Sequence, residues 1–355
     1  MRVGLTVYGT LEERSGGFRY DRKLVEQLRR AGDSVETVEL PWRAYHRGLL
    51  DNVSPGLRDR LDVDVDVMLQ DELAHPSLVY TNRHLPYPVV TVVHHLRASE
   101  PRQLSGLYRA VERRYLASVD GVVCNSTVTQ DVVTSLGVDA TSTVVAPPAG
   151  DRFDPAIEPA EIEQRARRRP LQIVFVGNIA PRKGLSTLVD GLERADTDAE
   201  LTVVGRAVDE DYAAAVRRRI ADSELESRVQ LTGELPDPEL ATVLRESHVL
   251  ALPSRYEGFG IVYLEGMSFG LPAIASRAGG ATDIVTDGET GFLIDPGDSQ
   301  AVARALTELA TDTDRLVALG RAARQRYEQH PDWAETAARV RQLLADVSAV
   351  PEVPV

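Results

Sequence analysis

The sequence predicts an α/β protein made of two doubly wound, Rossmann-like domains that face each other across a cleft. Its 355 residues are too many for one ordinary hydrophobic core and indicate two domains of about 150 residues or slightly more. Strand-like runs alternate with amphipathic helix patterns in both halves, which is typical of parallel sheets covered by helices on both faces. A proline-rich break separates the two alternating regions.

The first domain is predicted to span residues 1–160. Short apolar runs indicate strands at Arg2–Tyr8, Ser34–Leu40, Val65–Leu69, Val89–Val93, Gly121–Cys124 and Thr141–Ala146. Apolar residues at helical spacing indicate helices at Phe18–Arg30, Gln103–Ala117 and Thr127–Ser135. Thr127 and Gln130 have the spacing of a capping box at the start of the last helix.

The domain boundary is placed at residue 160, within a stretch that cannot form one regular element. This stretch contains Pro147, Pro148, Pro155 and Pro159 and continues as a polar, arginine-rich run to Pro170. Proline lacks the N–H group that helices and central strands need, so repeated prolines indicate a connection between domains.

The second domain is predicted to span residues 161–330 with the same alternation. Its strands are expected at Leu171–Val176, Leu201–Val204, Val229–Leu231, His248–Leu252, Pro272–Ala275 and Gly291–Ile294. Its helices are expected at Leu185–Arg194, Asp211–Ser223, Glu239–Glu246, Ile261–Phe269, Ser299–Ala310 and Asp314–Gln329. One more helix, Trp333–Val347, follows this domain.

Composition and charge exclude several classes of function. The net charge of −14 argues against a nucleic-acid partner, because phosphate backbones require a basic face. The single cysteine, Cys124, allows no intramolecular disulfide and fits a reducing compartment. No run reaches the roughly 18 apolar residues of a membrane span, and the strand-like start does not resemble a signal peptide. We therefore expect a cytoplasmic protein, and peripheral contact with the inner face of the membrane stays open.

A basic loop follows the first strand of the second domain. That strand ends at Gly177, the loop carries Arg182 and Lys183, and a helix begins at Gly184 or Leu185. The unpaired N–H groups of a helix start, a guanidinium fork and an ammonium group together suit a diphosphate. Lysine precedes glycine here, which excludes a Walker loop.

A second motif carries two carboxylates around a helix start. Glu257 precedes two glycines, Gly258 and Gly260, that permit close backbone approach to a ligand, and Glu265 lies about one turn into the following helix. Carboxylates repel a diphosphate, so we expect them to accept hydrogen bonds from sugar hydroxyls, one on the transferred hexose and one on the ribose.

These motifs resemble the signature of the family 4 retaining glycosyltransferases of the two-Rossmann-domain (GT-B) architecture. Glu257 and Glu265, with Glu-Gly-Phe-Gly opening the segment, carry the resemblance together with Val-Gly-Asn-Ile-Ala-Pro-Arg-Lys-Gly and Ala-Gly-Gly-Ala-Thr. It covers Leu171 to about Gln329 in order, and the first domain is similar more loosely.

The resemblance implies a metal-independent hexosyltransferase of glycan biosynthesis. Its co-substrate would be a nucleotide-diphosphate sugar, a UDP- or GDP-sugar, with no cofactor. Its acceptor would be a glycan, a lipid-linked sugar or a small molecule, bound by the first domain. Retention would follow from attack on the leaving-group face without a protein nucleophile, and the C-terminal helix 331–348 would join the first domain.

The resemblance also implies roles for residues of the second domain. Arg182 and Lys183 would bind the donor diphosphate and stabilise the departing charge, Glu265 would bind the ribose, and Glu257 would contact the transferred sugar. Backbone N–H groups near two further residues, Phe259 and Gly260, would assist. Many members have arginine where this chain has Asn178, so Arg182 is expected to act in its place.

In the first domain, Gly16 and Gly17 resemble the family's glycine loop near the sugar phosphate, with a simple flexible turn as the alternative. His94 follows a strand where the family often has a histidine beside the transferred sugar, and His95 is its rival. The run from Gln70 to Ser77 follows another strand and is expected to line an acceptor pocket. The ligand-like triplet Asp62, Asp64 and Asp66 is interpreted as a half-exposed strand approach, not as a metal site.

Three alternatives accompany this prediction. A nucleotide-sugar epimerase of the same architecture would process the donor without an acceptor. A non-catalytic donor-binding subunit of another transferase would bind without turnover, although the intact motif residues argue against it. A nicotinamide dehydrogenase is disfavoured because no Gly-x-Gly-x-x-Gly follows a strand.

Overall fold

The computed structural model describes residues 1–13, 15–97 and 105–349. The chain divides into two compact units, the first formed by Met1–Ala149 and the segment from Pro331 onward, and the second by Gly150–His330. Within the described ranges, no helix combines the length and apolar character needed to cross a membrane.

Unit 1 contains a six-stranded parallel sheet in the order β2-β1-β3-β4-β5-β6. Its strands are β1 (Arg2–Tyr8), β2 (Ser34–Leu40), β3 (Val67–Asp71), β4 (Val89–Val93), β5 (Gly121–Cys124) and β6 (Thr143–Val145). Its helices are α1 (Gly16–Arg30), α2 (Tyr45–Asp51), α3 (Pro55–Leu61), α4 (His75–Leu78), α5 (Ser105–Leu116), α6 (Thr127–Ser135) and α14 (Trp333–Ser348). Every residue of β3, β4 and β5 is buried, as expected for central parallel strands covered on both faces.

The C-terminal helix α14 packs on unit 1. The Trp333 ring lies 5.3 Å from that of Tyr20, and the Thr336 hydroxyl donates to the carbonyl of Pro147 at 2.6 Å. Arg341 donates to the buried Asp33 at 2.7 Å. The helix α14 is therefore held on unit 1 by apolar burial, a buried hydrogen bond and an ion pair, although it follows unit 2 in the sequence.

Unit 2 contains a second six-stranded parallel sheet in the order β12-β11-β10-β7-β8-β9. Its strands are β7 (Leu171–Val176), β8 (Ala199–Val204), β9 (Val229–Gly233), β10 (Val249–Leu252), β11 (Ala273–Ser276) and β12 (Gly291–Ile294). Its helices are α7 (Pro159–Ala166), α8 (Leu185–Arg194), α9 (Glu210–Ala221), α10 (Asp237–Glu246), α11 (Ile261–Ser268), α12 (Ser299–Thr311) and α13 (Thr313–Glu328).

The boundary between the units lies earlier than the predicted residue 160. The structure assigns residues 150–160 to unit 2 because two of their apolar side chains, Phe153 and Ile157, are buried in its core. The Phe153 ring lies 5.6 Å from Phe269. The prolines interrupt regular structure here without ending the packing.

Helix details also differ from the predictions. The sequence pattern missed four short helices, α2, α3, α4 and α7. The cap of α6 is Ser126, whose hydroxyl accepts from the N–H of Thr129 at 3.0 Å, so the predicted Thr127–Gln130 capping box is wrong. The predicted helix Gln103–Ala117 is observed as α5, and residues 103 and 104 lie outside the described ranges.

Strand order reverses once in each sheet. In unit 1 the reversal lies between β1 and β3, and in unit 2 it lies between β7 and β10. Ligands of open α/β sheets bind beyond the carboxyl ends of the strands at such a switch point. The loops that follow β7 and β10 carry the basic loop and Glu257, so the topology brings the two predicted motifs to one place.

Replacing Trp333 by alanine should destabilise the protein by about 3–5 kcal/mol, because a large aromatic side chain buried in unit 1 is lost. Urea unfolding followed by circular dichroism measures the change. Gln342→Ala, on the exposed face of the same helix, should stay within about 0.5 kcal/mol of the wild type. Equal effects of the two substitutions would contradict the packing of α14 described above.

Candidate functional site

Two loops of unit 2 contact each other through their backbones at the switch point. After β7, a short 3-10 helix, Pro181–Lys183, leads into α8 through Gly184. Gly184 has φ +71°, and a Cβ atom there would lie 2.0 Å from the carbonyl oxygen of Pro253. The N–H of Arg255 donates to the carbonyl of Arg182 at 2.7 Å. Only glycine at position 184 allows this approach.

The basic side chains of the first loop contact the carboxylate of the second. Lys183 Nζ lies 2.5 Å from Glu257 Oε1, and Arg182 Nη1 lies 3.4 Å from the same oxygen. The Ser254 hydroxyl donates to Oε1 at 2.8 Å. Glu257 accepts no hydrogen bond at Oε2 from the residues that the structure describes. The structure therefore brings Arg182, Lys183 and Glu257 together, with one carboxylate oxygen saturated.

The electrostatics of this cluster favour a charged Glu257. Burial opposes its ionisation, but Lys183, Arg182 and the Ser254 hydroxyl outweigh burial and lower the pKa of Glu257 below its ordinary value. Two cations and one anion leave the cluster with a net positive charge. It can therefore still attract an anionic group.

A glycine pair fixes the other side of the Glu257 loop. The N–H of Gly280 donates to the carbonyl of Glu257 at 2.8 Å. A Cβ atom on Gly279, which has φ +94°, would lie 2.0 Å from the same carbonyl oxygen. In the sequence these glycines were only part of the family resemblance. The structure shows that they allow the backbone to approach the Glu257 carbonyl closely.

Glu265 lies in α11 and is buried. Its Oε2 atom is 3.6 Å from Arg152 Nη1, and Arg152 also lies 2.7 Å from Asp237. Arg152 was not among the predicted site residues, because it lies in the stretch 147–170, which was interpreted as a connection between domains. Arg152 directly follows a proline-rich run. Nothing in the sequence around it indicates that it contacts Glu265, the predicted ribose-binding carboxylate.

The remaining predicted donor residues of unit 2 lie around these loops. Asn178 is exposed directly after Gly177. Phe259 is buried, with its ring 5.9 Å from that of His330. Gly260 has φ +90° and forms the N-cap of α11, which leaves the helix N–H groups at its start available to a ligand.

In unit 1 the structure brings Gly17 and His94 together. Gly16 and Gly17 open α1, whose N-cap is Ser15. A Cβ atom on Gly17 would lie 3.2 Å from the His94 ring, so glycine lets the helix start lie against the imidazole. Burial lowers the pKa of His94, opposed by the nearby Asp71. The rival histidine, His95, donates its backbone N–H to Glu72 at 3.2 Å.

The run from Gln70 to Ser77 does not have the expected exposure of a pocket lining. Seven of its eight residues are buried, and only Leu73 is exposed. Gln70 donates to Asn82 at 2.8 Å, and both ring nitrogens of His75 have hydrogen-bond partners. Gln70 and His75 therefore have hydrogen-bond partners inside unit 1, and the role of the run as a pocket lining stays a prediction.

The Asp62, Asp64 and Asp66 triplet has a structural role. Asp66 accepts hydrogen bonds from the backbone and side chain of Arg2 at 2.7 to 3.0 Å, and Asp64 pairs with the same arginine. Across the described residues, the side chains that place three metal-ligating atoms within 4.8 Å of one another are Asp21, Asp71 and His94.

Two family models match the chain over most of its length. The model described as "Glycosyl transferases group 1" matches residues 158–326, and "Glycosyltransferase Family 4" matches residues 13–151. The chain belongs to the family 4 glycosyltransferases. The family predicted from the motifs around Glu257 and Lys183 is thereby confirmed.

Relatives of known activity resemble a part of this family 4 chain. It is 34% identical over 252 residues to a GDP-mannose-dependent alpha-(1-6)-phosphatidylinositol monomannoside mannosyltransferase of Mycobacterium tuberculosis, covering 66% of this chain and 64% of the relative. It is 31% identical over 236 residues to a D-inositol 3-phosphate glycosyltransferase of Pseudarthrobacter chlorophenolicus, covering 64% and 56%. In both cases the matched region spans less than two thirds of the relative's length.

Solved structures match the fold over nearly the whole chain. HepE of Anabaena, solved with UDP and glucose, matches with a TM-score of 0.80 at 20% identity, covering 98% of this chain and 100% of that chain. Sucrose-phosphate synthase of Thermosynechococcus elongatus matches with a TM-score of 0.82 at 21% identity, covering 98% and 99%. These matches and the two parallel six-stranded sheets confirm the predicted α/β fold of the GT-B type.

Gly184→Ala should destabilise unit 2 far more than Gly297→Ala. Both glycines have positive φ, and alanine costs roughly 1–2 kcal/mol at such a position. Only at Gly184 would the new Cβ clash with a backbone carbonyl, because no atom lies within 4 Å of the Cβ position at Gly297. Urea unfolding compares the two variants, and equal losses would contradict the loop contact between Gly184 and Pro253.

Proposed function

We propose that this protein is a retaining hexosyltransferase that moves a hexose from a UDP- or GDP-sugar to a sugar-containing, lipid-linked or small-molecule acceptor. One observation carries the proposal. Lys183 and Arg182 converge on the buried Glu257 at the switch point of unit 2, in a chain that belongs to the family 4 glycosyltransferases.

The leaving group of this reaction is a nucleoside diphosphate, whose negative charge grows as the sugar departs. Arg182, Lys183 and the N-terminal ends of α8 and α11 would stabilise that charge, which is the largest catalytic contribution in such sites. In this arrangement Glu257 pairs with both cations and offsets one of their two positive charges. A diphosphate bound at Arg182 and Lys183 would contact the same two cations that Glu257 already contacts.

Glu257 is proposed to contact the transferred hexose. Its Oε1 atom is occupied by Lys183, Arg182 and Ser254, whereas Oε2 is available to accept from a sugar hydroxyl. The lowered pKa of Glu257 keeps the group in its accepting, charged form.

The other predicted residues are proposed to complete the donor site. Glu265 would accept from the ribose hydroxyls, and Arg152 would orient it through their 3.6 Å contact. Asn178, together with backbone groups at Phe259 and Gly260, would contact the donor. In unit 1, His94, Gly16 and Gly17 would contact the transferred sugar and its phosphate.

Retention and independence of metal ions are part of the proposal. The acceptor would attack the face from which the phosphate leaves, and the leaving phosphate would take the acceptor proton. The double displacement of glycosidases requires two carboxyl groups that flank the scissile bond. Here Glu257 is engaged with cations instead, which supports a mechanism without a protein nucleophile. No cofactor is proposed beside the nucleotide sugar.

Two sets of relatives direct the choice of donor and acceptor. The mycobacterial relative is named for GDP-mannose and a phosphatidylinositol mannoside, and HepE was solved with UDP-glucose. We therefore propose GDP-mannose and UDP-glucose as the first donors to test, with inositol-containing acceptors, free or lipid-linked. A lipid-linked acceptor would require peripheral contact of a cytoplasmic protein with the membrane.

The proposal is tested by incubating the protein with each donor, alone and with an inositol-containing or glycan acceptor, in EDTA, and following the anomeric protons by NMR. Transfer that requires acceptor and gives a product with the donor's anomeric configuration supports it. Conversion of the donor sugar without acceptor would indicate an epimerase. Binding without any product would indicate a donor-binding subunit, and inversion or loss of activity in EDTA would contradict the mechanism.

Glu257→Gln should lower kcat by about 100-fold or more while the Kd for the nucleoside diphosphate stays unchanged or decreases. The charged acceptor that is proposed to bind a hydroxyl of the transferred hexose is lost, but the cations lose a competing anion. Steady-state kinetics and calorimetric titration measure the two effects. Glu226→Ala, at an exposed position of unit 2, is the control, and wild-type kcat in Glu257→Gln would refute the assignment of Glu257.

A further inference from the structure

Unit 1 contains a buried acidic pair beside His94. Asp21 lies in the second turn of α1, Asp71 ends β3, and His94 follows β4. Both aspartates are fully buried, and Asp21 Oδ1 lies 3.5 Å from His94 Nε2. Asp21 and Asp71 belong to elements that begin and end at the switch point of this sheet, and His94 follows the neighbouring strand β4.

The oxygens of this pair are left without ordinary partners. Asp71 Oδ1 accepts from the N–H of Leu73 at 2.8 Å. In the described part of the chain, the other Asp71 oxygen, both Asp21 oxygens and His94 Nε2 are buried without a hydrogen-bond partner. Two buried carboxylates cannot both remain charged and unpaired, because burial without compensation is strongly unfavourable.

The charged and titratable groups around the pair do not neutralise it. Arg22, next to Asp21 in α1, donates to the carbonyls of Leu11 and Glu13, and its charge lowers the pKa of Asp21 by less than burial raises it. Glu72 accepts from the backbone N–H groups of His94 and His95. Burial and the charge of Asp71 raise the pKa of Glu72 well above its ordinary value, and Glu72 supplies no positive charge.

Two tyrosines complete the surroundings. Tyr20 donates to the carbonyl of Ala146, and Tyr115 of α5 bonds with Gln70 and Thr91. Cys124 of β5 is a buried thiol. None of these groups supplies a positive charge to Asp21 or Asp71.

We propose that Asp21 and Asp71 share one proton, and that their remaining negative charge faces His94 Nε2 and fixes the imidazole as the tautomer with Nε2–H. This inference rests on the proposed function in one respect, since it makes Asp21 and Asp71 positioning residues for a histidine placed beside the sugar. Two carboxyl groups that share a site retain a proton in this way, because both cannot ionise at close range.

The shared proton makes stability depend on pH. Burial raises the pKa of Asp21 to about 7, and burial together with the charge of Asp21 raises the pKa of Asp71 above its ordinary value. A carboxyl group whose pKa is higher in the folded than in the unfolded state stabilises the fold. This stabilisation is complete at pH values below the pKa of the unfolded state. That stabilisation is lost as the pH rises through the folded value. The wild type should therefore lose Tm between pH 5 and pH 8.

Asp21→Asn tests this directly, because the amide carries a permanent donor in place of the shared proton. The Tm decrease from pH 5 to pH 8 should shrink by at least half in Asp21→Asn and, by the same reasoning, in Asp71→Asn. Asp131→Asn, on the exposed face of α6, should retain the wild-type decrease. An unchanged decrease in both pair variants would overturn the proposal.

NMR of histidine-labelled protein tests the tautomer in the wild type itself. The His94 resonance, assigned from its loss in His94→Gln, should show a protonated Nε2 and an unprotonated Nδ1 at pH 6.5. The reverse tautomer would overturn the proposal. Calorimetric binding of Zn²⁺, Mn²⁺ or Mg²⁺ that disappears in Asp21→Asn would also overturn it, because a metal ion would then neutralise the pair.

The activity readout separates this inference from the proposed function. In Asp21→Asn the alkaline limb of the kcat–pH profile should shift, while the Kd for the nucleoside diphosphate stays at the wild-type value. If no donor and acceptor give transfer, the proposed function fails, and the unfolding and NMR measurements still decide whether the acid pair shares a proton.

Discussion

The Glu257 carboxylate is almost completely removed from solvent, and a buried charge of this kind is tolerated only where cations and donors meet it. Lys183, Arg182 and Ser254 meet it at a single oxygen. This requirement fixes the distance between the loop after β7 and the loop after β10. Gly184 follows from it, because a Cβ atom there would collide with the Pro253 carbonyl of the second loop. Gly279, after β11, allows a third loop to approach the Glu257 carbonyl in the same way.

The two units satisfy buried acids by different means. Unit 2 places two cations against Glu257 and keeps it charged, which suits a site that would bind phosphate and sugar together. In unit 1, both oxygens of Asp21 and one of Asp71 have no hydrogen-bond partner among the described residues, and a shared proton is the proposed substitute. Both arrangements lie at the switch point of a parallel sheet, where strand ends bring side chains from separate parts of the sequence together.

Much of the fold and of the unit 2 site followed from the sequence, because both depend on local patterns. Continuous apolar runs such as Val89–Val93 mark central parallel strands, and the Lys183 and Glu257 motifs combine glycines with charges at fixed spacing. Local patterns carry no information where long-range packing decides which residues contact each other. Phe153 packs on Phe269 across a run of prolines, and Arg152 contacts Glu265 more than a hundred positions away.

The same limit explains the run from Gln70 to Ser77. Its polar composition and its place after a strand indicate a pocket lining, yet three of its side chains bond to Asn82, Tyr45 and Tyr8 inside unit 1. Single-sequence patterns do not show which polar groups bond to one another. The end of a strand indicated the position of His94. The two aspartates beside it lie on α1 and β3, and no pattern around His94 in the sequence indicates that they contact it.

The most direct test of the account is the contribution of the second phosphate to binding. Calorimetric titration would compare a nucleoside diphosphate with the matching monophosphate, for the wild type and for Lys183→Met. The account predicts that the wild type binds the diphosphate at least about tenfold more tightly, a difference of about 1.4 kcal/mol, and that Lys183→Met removes most of this preference. An undiminished preference in Lys183→Met would contradict the assignment of the basic loop to the diphosphate.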